Sequence, residues 1–374
     1  MGGFGAMTLR ILVVGAGIAG LSAARALRLA GYRPDVVEEL PASMLPGAGI
    51  YLPGNASRAM RQLGLDAPLR PLGDLIFRQV FLDARGRSLF ELDVAALWAG
   101  VGESRALSRA DLQQVLLTGV GGEVRYDTAV KELEIFDGAA KVEFGDGTVA
   151  EYDLVIGADG RRSTVRAKAG LGGAAVPTGQ IVYRSVVSGG PPLSDWTALL
   201  GRRSSFVAMP MGGRKLYFYA DETAPDSPNP EDPRAHLRNV FGSFGGPVPA
   251  ILGAIEKVSV ARTDEVVLDT WHRGPVLLVG DAAHATAPTL AQGAAMSFED
   301  AVVLGEELKR SGGDVPSALK AYEMRRRPRC GVVRDRTHER DRTRDVPPAL
   351  RDPMLRRRGL RIFADHYRPL VPPA

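Results

Sequence analysis

Short apolar runs followed by glycine recur along the chain and predict the buried strands of a parallel sheet. Residues 9–14 form such a run, and residues 21–29 follow with the alternation of apolar and polar side chains typical of a helix. Residues 34–38 then return to the strand pattern. A strand, a helix and a strand in this order predict a parallel pair joined by a right-handed crossover. Two later strands are predicted by the same pattern, at residues 153–156 and 276–279.

The pattern changes near residue 178, where strand-like runs alternate with clusters of glycine and proline. Residues 181–187, 205–209 and 216–220 predict a separate, mostly antiparallel sheet. Residues 75–82 and 88–92 are expected to join that sheet. Elsewhere the pattern predicts three helices, at residues 55–63, 108–117 and 296–308, and a meander of three strands, at residues 124–136, 141–144 and 148–152.

The composition is that of a globular protein with two domains or one large lobe. The chain has 374 residues, above the ~250–300 at which a single core usually divides. Apolar residues make up 45% and charged residues 24%, which excludes a disordered chain. The single cysteine, Cys330, excludes an internal disulfide framework and a cysteine-rich zinc site, and we expect no metal. We find no membrane span or signal peptide in the pattern and expect a cytoplasmic protein.

Positive charge is concentrated late in the chain. The net charge is +4, yet residues 325–361 alone contain 14 arginines and five acidic residues. We interpret this segment as a solvated helix face with arginine–carboxylate pairs at helical spacing. A nucleic-acid surface is the alternative, but no aromatic residue is interleaved before Phe363, so we expect no nucleic-acid partner.

A G-x-G-x-x-G pattern connects the first predicted strand to the first helix. Gly15 suits a tight turn, Gly17 lets the backbone approach a pyrophosphate, and Gly20 lets helix and strand pack closely. Glu38 ends the next strand, where a carboxylate hydrogen-bonds ribose hydroxyls. This arrangement favours FAD or NAD over NADP.

Two acid–glycine turns follow the other buried strands. Asp159 and Gly160 come after residues 153–156, and Gly280 and Asp281 come after residues 276–279. Because the carboxyl ends of parallel strands meet at one edge of a sheet, both carboxylates are expected at the ligand-binding edge.

Taken in order, these three motifs resemble the class A flavin-dependent aromatic hydroxylases, which share the 4-hydroxybenzoate hydroxylase fold. Further matching stretches are residues 47–50 with Asn55, residues 107–112, 288–294, 299–301 and 322–328. Residues 47–52 and 268–274 are similar to the branch that contains methylhydroxypyridine carboxylate oxygenase. The resemblance implies an α/β protein with a glutathione-reductase-type FAD-binding Rossmann domain and an antiparallel-sheet substrate domain.

The expected division of the chain is discontinuous. The FAD-binding domain takes residues 1–70, 106–175 and 265–315. The substrate domain takes residues 71–105 and 176–264. Residues 316–374 form a C-terminal, arginine-rich helical segment.

The resemblance also implies a set of cofactor contacts. The expected FAD-binding residues are Gly15, Ala16, Gly17, Ala19, Gly20, Glu38, Glu39, Arg109, Val130, Asp159, Asp281, Gln292, Gly293 and Ala294. Asp281 would bind the ribityl hydroxyls, and the helix that begins near Gln292 would stabilise the anionic reduced flavin. Glu39 and Met44 stand where the family usually has basic residues, which weakens charge contacts to the cofactor or the nicotinamide donor.

The candidate substrate-side residues are Tyr183, Arg184, Arg203, Tyr217 and Pro288. An arginine could clamp a substrate carboxylate, and a tyrosine could orient or deprotonate a phenol. His284 is expected to be a structural hydrogen-bonding residue.

The implied reaction is a monooxygenation. NADH or NADPH would reduce FAD, and O2 would then hydroxylate an aromatic or heteroaromatic substrate through a flavin hydroperoxide. Two alternatives stay open: a tailoring oxidoreductase of a polycyclic or indole substrate, and a flavin-sensing binding protein that uses the arginine-rich segment. The W-x-W pattern of flavin halogenases is absent. A monomer or a homodimer is expected.

Overall fold

The computed structural model describes residues 9–44, 47–224 and 227–374. Its strands are β1 Ile11–Val14, β2 Asp35–Val37, β3 Gly49–Leu52, β4 Asp74–Leu75, β5 Arg78–Asp83, β6 Ser88–Asp93, β7 Arg105–Ser108, β8 Val124–Arg125, β9 Val130–Phe136, β10 Ala139–Phe144, β11 Val149–Tyr152, β12 Leu154–Gly157, β13 Val176–Ser188, β14 Trp196–Leu200, β15 Ser204–Pro210, β16 Lys215–Thr223, β17 Ser259–Glu265, β18 His272–Arg273 and β19 Val276–Leu278. Its α-helices are α1 Ile18–Leu29, α2 Gly54–Gln62, α3 Asp66–Leu69, α4 Val94–Leu97, α5 Arg109–Val120, α6 Thr164–Lys168, α7 Pro233–Phe241, α8 Val248–Gly253, α9 Asp281–His284, α10 Gly293–Arg310, α11 Val315–Arg342 and α12 Pro348–Tyr367.

A six-stranded sheet in the order β18-β19-β12-β1-β2-β8 carries the glycine motif. All of its neighbouring strands are parallel except β18 and β19. Every residue of β1 and of β12 is buried, as a sheet covered on both faces requires. The predicted strand–helix–strand unit is therefore confirmed.

A seven-stranded sheet in the order β17-β13-β16-β15-β14-β5-β6 forms the second layer. Its strands are antiparallel except for the parallel pair of β14 and β5. The predicted strand at residues 75–82 is divided, because β4 pairs with β7 in a small sheet and only β5 joins the large one. The break falls at Ile76, whose N–H donates to the carbonyl of Ser104.

The predicted strand at residues 124–136 is also divided. β8 pairs with β2 in the parallel sheet, whereas β9 begins the meander with β10 and β11. Asp127 lies between them with a φ of 52°, a left-handed conformation that ends a strand. The strands of the six-stranded sheet come from the expected FAD-binding segments, and those of the seven-stranded sheet come from the expected substrate segments except for Glu265 at the end of β17. The domain boundaries themselves remain a prediction.

The arginine-rich segment consists of the long helices α11 and α12, and the interpretation of it as a solvated face is wrong in part. Arg326 is fully buried and Arg351 is 4% exposed. Arg351 donates to the carbonyls of Leu200 and Gly201 at 2.9 and 2.5 Å. Helical spacing alone did not reveal this because the partners lie far away in the sequence. No described helix is long and apolar enough to cross a membrane.

Aromatic stacking attaches α12 to the seven-stranded sheet. The ring of Phe363 lies 4.5 Å from that of Phe81 and 4.7 Å from that of Phe90. Gly359 lets the helix approach closely, because a Cβ there would overlap the ring of Phe90. The final turn of the chain is held as well, since Arg58 donates to the carbonyl of Val371 at 2.6 Å.

We expect Gly359→Ala to destabilise the protein by about 1–3 kcal/mol, because the added methyl overpacks the helix against Phe90. Gly331→Ala in α11 is the matched control, since a Cβ there meets nothing within 4 Å. Helix propensity alone favours alanine over glycine by ~1 kcal/mol, so the control should be neutral or stabilising. Urea unfolding measures the free energy of unfolding of both variants. Equal stabilisation of the two variants would contradict the docking of α12.

Candidate active site

One cavity of about 1020 Å³ lies where the two large sheets face each other. One side is built by residues that follow β1, β12 and β19, among them Gly17, Asp159 and Asp281. The other side is one face of the seven-stranded sheet, together with part of α12. The cavity thus opens at the carboxyl edge of the parallel sheet, where ligands bind in such folds.

The three glycines of the motif have different surroundings. Gly15 has a φ of 104°, and a Cβ there would lie 2.5 Å from the carbonyl oxygen of Ala158. A Cβ on Gly20 would overlap the carbonyl of Gly15. Gly17 meets nothing within 4 Å and lines the cavity at the start of α1. Its open backbone at a helix N-terminus suits a phosphate group.

Glu38 is hydrogen-bonded to the backbone of the glycine loop. Its carboxylate accepts hydrogen bonds from the backbone N–H of Ala16 at 2.7 Å and of Leu40 at 3.0 Å. Glu39, not Glu38, contributes to the cavity lining. Contact between Glu38 and a ribose therefore stays a prediction.

The two acid–glycine turns orient their carboxylates differently. Asp159 accepts hydrogen bonds from the hydroxyl of Ser163 at 2.6 Å and from the N–H of Val165 at 3.0 Å. Burial raises its pKa, although these bonds oppose the shift. Asp281 is exposed and opens the short helix α9 at the cavity wall. Gly280 precedes it with a φ of 58°, and a Cβ there would lie 2.6 Å from that of Ala19.

The start of α10 also faces the cavity, through Gly293 and Ala294. No side chain caps this helix, so its first N–H groups are available to a ligand. Gln292, which directly precedes α10, is buried and accepts a hydrogen bond from the Asn55 amide at 3.0 Å. The same amide donates to Glu299 at 3.1 Å, which fixes the helix start to α2.

A buried arginine connects these elements. Arg326 donates to Asp300 at 2.8 Å and to Glu299 at 2.9 Å, and all three side chains are at most 2% exposed. Asp300 also accepts a hydrogen bond from the N–H of Gly280 at 2.9 Å and contacts His284 Nε2 at 2.7 Å. Burial raises the pKa of Asp300, but His284 and Arg326 hold it far below its ordinary value. His284 is thus a structural residue, as its motif predicts.

His284, Asp300 and Cys330 place one ligand-type atom each within 4.8 Å of one another. The Arg326 guanidinium lies against the same group, 2.8 Å from Asp300 and 3.6 Å from the Cys330 sulfur. A cation is therefore already present among these side chains, and the cluster is an ion-pair network.

Period-two alternation decides which side chains of the seven-stranded sheet reach the cavity. On the five strands from β13 to β5, the alternating positions that line it are Gln79, Phe81, Arg184, Trp196, Ala198, Leu200, Ser205, Val207, Met209, Tyr217, Tyr219 and Asp221. Their neighbours in sequence face a second core under α7 and α8, which includes Tyr183, Leu199, Phe206, Ala208, Phe218 and Ala220. Ser204 at the start of β15 and Ser259, Thr263 and Asp264 of the edge strand β17 also line the cavity.

Arg184 is the central charged group of this face. Its guanidinium lies 5.7 Å from the centre of the Tyr219 ring, and it makes no hydrogen bond or ion pair with a carboxylate in the described part of the chain. Burial lowers the pKa of Arg109, and Arg184 lowers it further, so the two cations share one space. Arg184 and Arg109 lower the pKa of Tyr217, but burial has the larger effect and raises it above its ordinary value. The Tyr217 hydroxyl is therefore protonated at neutral pH. The arrangement suits anionic ligand groups.

The predicted residues separate into two groups. Those that line the cavity are Gly17, Ala19, Glu39, Arg109, Asp159, Arg184, Tyr217, Asp281, Pro288, Gly293 and Ala294. The predicted residues outside the cavity lining are Gly15, Ala16, Gly20, Glu38, Val130, Tyr183, Arg203 and Gln292. Gly15, Ala16, Gly20, Glu38 and Gln292 still shape the loop and helix that border it.

Three predicted positions are not brought to the cavity. Tyr183 precedes Arg184 on β13, so it faces the opposite core, where its hydroxyl donates to Glu222 at 2.6 Å. Arg203 lies in the turn after β14 and pairs with Asp345 at 3.3 Å, with about half of its side chain exposed. Val130 is buried at the start of the meander, opposite Phe144. None of these three residues contributes to the cavity lining.

Sequence reasoning missed the contribution of α12. Met354, Leu355, Ile362, Phe363 and His366 all line the cavity. The segment contains no ligand-binding motif, and its many arginines indicated a solvated helix rather than one whose apolar positions line a cavity. Phe81 on β5 and Trp196 on β14 were missed too, although alternation along their own strands could have indicated inward-facing rows that include Gln79 and Ala198.

Comparison with known proteins identifies the cofactor class. A family model described as an FAD binding domain matches residues 8–337. An FAD-dependent urate hydroxylase of Mycolicibacterium vanbaalenii is 30% identical over 359 residues, which cover 89% of this chain and 90% of that protein. Aurachin C monooxygenase/isomerase of Stigmatella aurantiaca is 32% identical over 323 residues, 84% of each chain.

Solved structures agree with this assignment. Klebsiella pneumoniae HpxO, in complex with FAD and uric acid, matches with a TM-score of 0.86 and 28% identity over 98% of this chain and 97% of that one. 2-Methyl-3-hydroxypyridine-5-carboxylic acid oxygenase matches with a TM-score of 0.77 and 25% identity, over 91% and 93% of the two chains. Fold and site together define an FAD-dependent monooxygenase of the aromatic hydroxylase class. The chain belongs to the FAD-binding domain family.

The residues present fit FAD. The open backbone at Gly17, the uncapped start of α10 and the cavity of about 1020 Å³ that both of them line suit a dinucleotide cofactor. Gly17 would hold the pyrophosphate, Asp281 the ribityl hydroxyls, and Gly293 the flavin end. Arg109 supplies a cation that has no ion-pair partner in the described residues, which suits the phosphates.

We expect Asp281→Ala to weaken FAD binding about 10- to 100-fold, because hydrogen bonds to a charged group contribute ~1.5–3 kcal/mol. Asp314→Ala is the matched control, since Asp314 is an exposed aspartate before α11 that makes no side-chain cap. Titration of the flavin-free protein with FAD measures both dissociation constants. Undiminished affinity in Asp281→Ala would remove Asp281 from the cofactor site.

Arg326→Met should destabilise the protein by about 3–5 kcal/mol, because it leaves the buried Glu299 and Asp300 carboxylates short of a partner. Arg334→Met is the control on the same helix, since Arg334 forms a half-exposed pair with Asp335 and should cost under about 1 kcal/mol. The midpoint of urea unfolding distinguishes them. Similar midpoints for both variants would show that the buried network does not stabilise the fold.

Proposed function

We propose that the protein hydroxylates a planar nitrogen heterocycle that carries an acidic ring group, with NADH or NADPH as electron donor and O2 as oxygen source. The observation that carries this proposal is the guanidinium of Arg184, which is half-buried in the cavity and has no carboxylate partner among the described residues. An anionic ligand would supply that partner through a charge-assisted hydrogen bond. A ring hydroxyl, imide or carboxylate would do so.

The chain's own residues would orient and activate such a substrate. Arg184 favours the ionised form of an acidic ring group, because an opposite charge nearby lowers its pKa. Ionisation makes the ring electron-rich, which assists the attachment of oxygen. Tyr217 packs directly over Gly49, since a Cβ there would lie 2.5 Å from the Cγ atom of the tyrosine, so the base of its ring contacts β3. The aromatic lining excludes water from the reacting atoms.

FAD, when bound, supplies the redox chemistry, taking electrons from the nicotinamide and activating O2. Arg161 and Arg162 follow the Asp159 turn and line the cavity, where they are available to the phosphates of the donor. Arg161 is already paired with Asp264 at 3.5 Å, so we assign the donor contact to Arg162 first.

The relatives support a heterocyclic substrate. They include a urate hydroxylase and an oxygenase of a hydroxypyridine carboxylate. Both compounds are nitrogen heterocycles with acidic groups, which is the chemistry that Arg184 favours. We place the reaction in the cytoplasm.

The direct test is NAD(P)H oxidation by the FAD-loaded protein with urate, 2,6-dihydroxypyridine and 2-methyl-3-hydroxypyridine-5-carboxylate, with hydrogen peroxide quantified. We expect at least one compound to accelerate oxidation and to yield a product one oxygen atom heavier. Peroxide equal to the NAD(P)H consumed with every compound would contradict the proposal.

For the compound that reacts, Arg184→Met should raise KM about 10- to 100-fold, because a charge-assisted contact contributes ~1.5–3 kcal/mol. Arg203→Met is the matched control, since Arg203 lies outside the cavity lining and pairs with Asp345. Steady-state kinetics at saturating donor measure both variants. An unchanged KM in Arg184→Met, or an equal rise in both variants, would contradict the assignment of Arg184.

A further inference from the structure

The cavity has an apolar region that the hydroxylation of a small acidic ring does not use. We call it the apolar wall, and it consists of Phe81, Trp196, Leu200, Met354, Leu355, Ile362 and Phe363. These residues come from β5, β14 and α12. Arg184 is on β13, which β16 and β15 separate from β14, so the wall lies across the sheet from that cation.

Within the described part of the chain, no other side chain fully covers this wall. Phe363 and Leu355 are 7% and 5% exposed and form its base. Met354, Ile362 and Leu200 are only partly buried although they pack against the core. Because these three also line the cavity, apolar surface is left open to it. Covering that surface stabilises a complex by about 25 cal/mol per Å².

The charged groups near the wall are already engaged within the protein. Arg351 donates to the Leu200 and Gly201 carbonyls, and the Arg340 guanidinium lies 4.2 Å from the centre of the Phe363 ring. Burial, with Arg340, lowers the pKa of His366 to about 4, so its imidazole is uncharged at neutral pH. The wall therefore presents an apolar surface rather than a second anion site.

The wall is also held rigidly. Phe81 stacks on Phe90 at 4.4 Å and meets Trp196 at 5.3 Å, while Phe363 closes the group from α12. Arg351 then fixes the first turns of α12 to the end of β14. A preformed surface of this kind binds without an ordering cost.

We propose that the apolar wall is a subsite for an apolar substituent of the substrate, an alkyl chain or a further fused ring, while Arg184 holds the acidic group of the reacting ring. This inference rests on the proposed function, because it assumes that the substrate ring lies in the same cavity. It assigns the substrate to amphipathic heteroaromatic compounds rather than to small, wholly polar ones.

The test is a chain-length series of ligands on the FAD-loaded protein. The probes are 3-hydroxypyridine and its derivatives with a methyl, propyl or pentyl group on carbon 2. Dissociation constants are measured from the change in flavin absorbance and, independently, from quenching of tryptophan fluorescence. Each buried methylene contributes ~0.8 kcal/mol, so we expect binding to tighten about threefold to fourfold per methylene.

Ile362→Trp should fill the subsite and remove this dependence on chain length. Binding of unsubstituted 3-hydroxypyridine should change by no more than about twofold, as for a site that is not contacted. Leu360→Trp is the matched control on the same helix, because Leu360 is 52% exposed and lies outside the cavity lining. It should keep the full dependence. If Ile362→Trp does not retain FAD, Ile362→Ala replaces it and should weaken the pentyl derivative most.

Several outcomes would overturn the subsite. They are equal affinity for all four ligands in the unmodified protein, a failure of the pentyl derivative to bind, and an equal loss for all four in Ile362→Trp. The proposed function fails separately, since it requires product formation. Binding that depends on chain length without hydroxylation would support the subsite and contradict the proposed reaction. Hydroxylation without a dependence on chain length would support the reaction and contradict the subsite.

Discussion

The structure depends on one buried cation. Arg326 of α11 lies between Glu299 and Asp300 of α10 with no exposure to solvent. Asp300 holds the Gly280 turn, and Glu299 holds the amide of Asn55 beneath the start of α10. Arg329 of the same helix also donates to Glu299, at 2.6 and 2.7 Å. The ion pairs between α11 and α10 therefore fix both the turn that carries Asp281 and the helix N-terminus at the cavity.

The seven-stranded sheet adds the substrate side by simple alternation. Arg184 and Tyr217 face the cavity, while Tyr183 and Phe218, one residue away, fill the opposite core. The sequence motifs predicted the parallel sheet and the glycine loop because those features are local and their roles follow from backbone geometry. The orientation of Tyr183 and Arg184 could not be predicted with equal ease, because a shift of one residue in register reverses both.

The C-terminal helices lie beyond what local patterns predict. Arginines at helical spacing indicated a solvated face, yet Arg326 and Arg351 are buried by carboxylates and carbonyls from other elements. Only tertiary contacts reveal this, since a buried arginine and an exposed one look alike in a sequence. The same helices complete the cavity with apolar side chains, of which Ile362 is one. Part of the cavity lining therefore comes from the segment whose role the sequence indicated least.

A monooxygenase that works in the cavity between the two sheets transfers one atom of O2 to its heteroaromatic substrate. Isotope labelling measures this transfer: the FAD-loaded protein, NAD(P)H and a heterocycle that accelerates NAD(P)H oxidation are combined under ¹⁸O₂, and the product is analysed by mass spectrometry. We expect one labelled oxygen atom in the product, and no label from H₂¹⁸O under ordinary O2. Label that comes from water, or an oxidised product without added oxygen, would contradict this expectation.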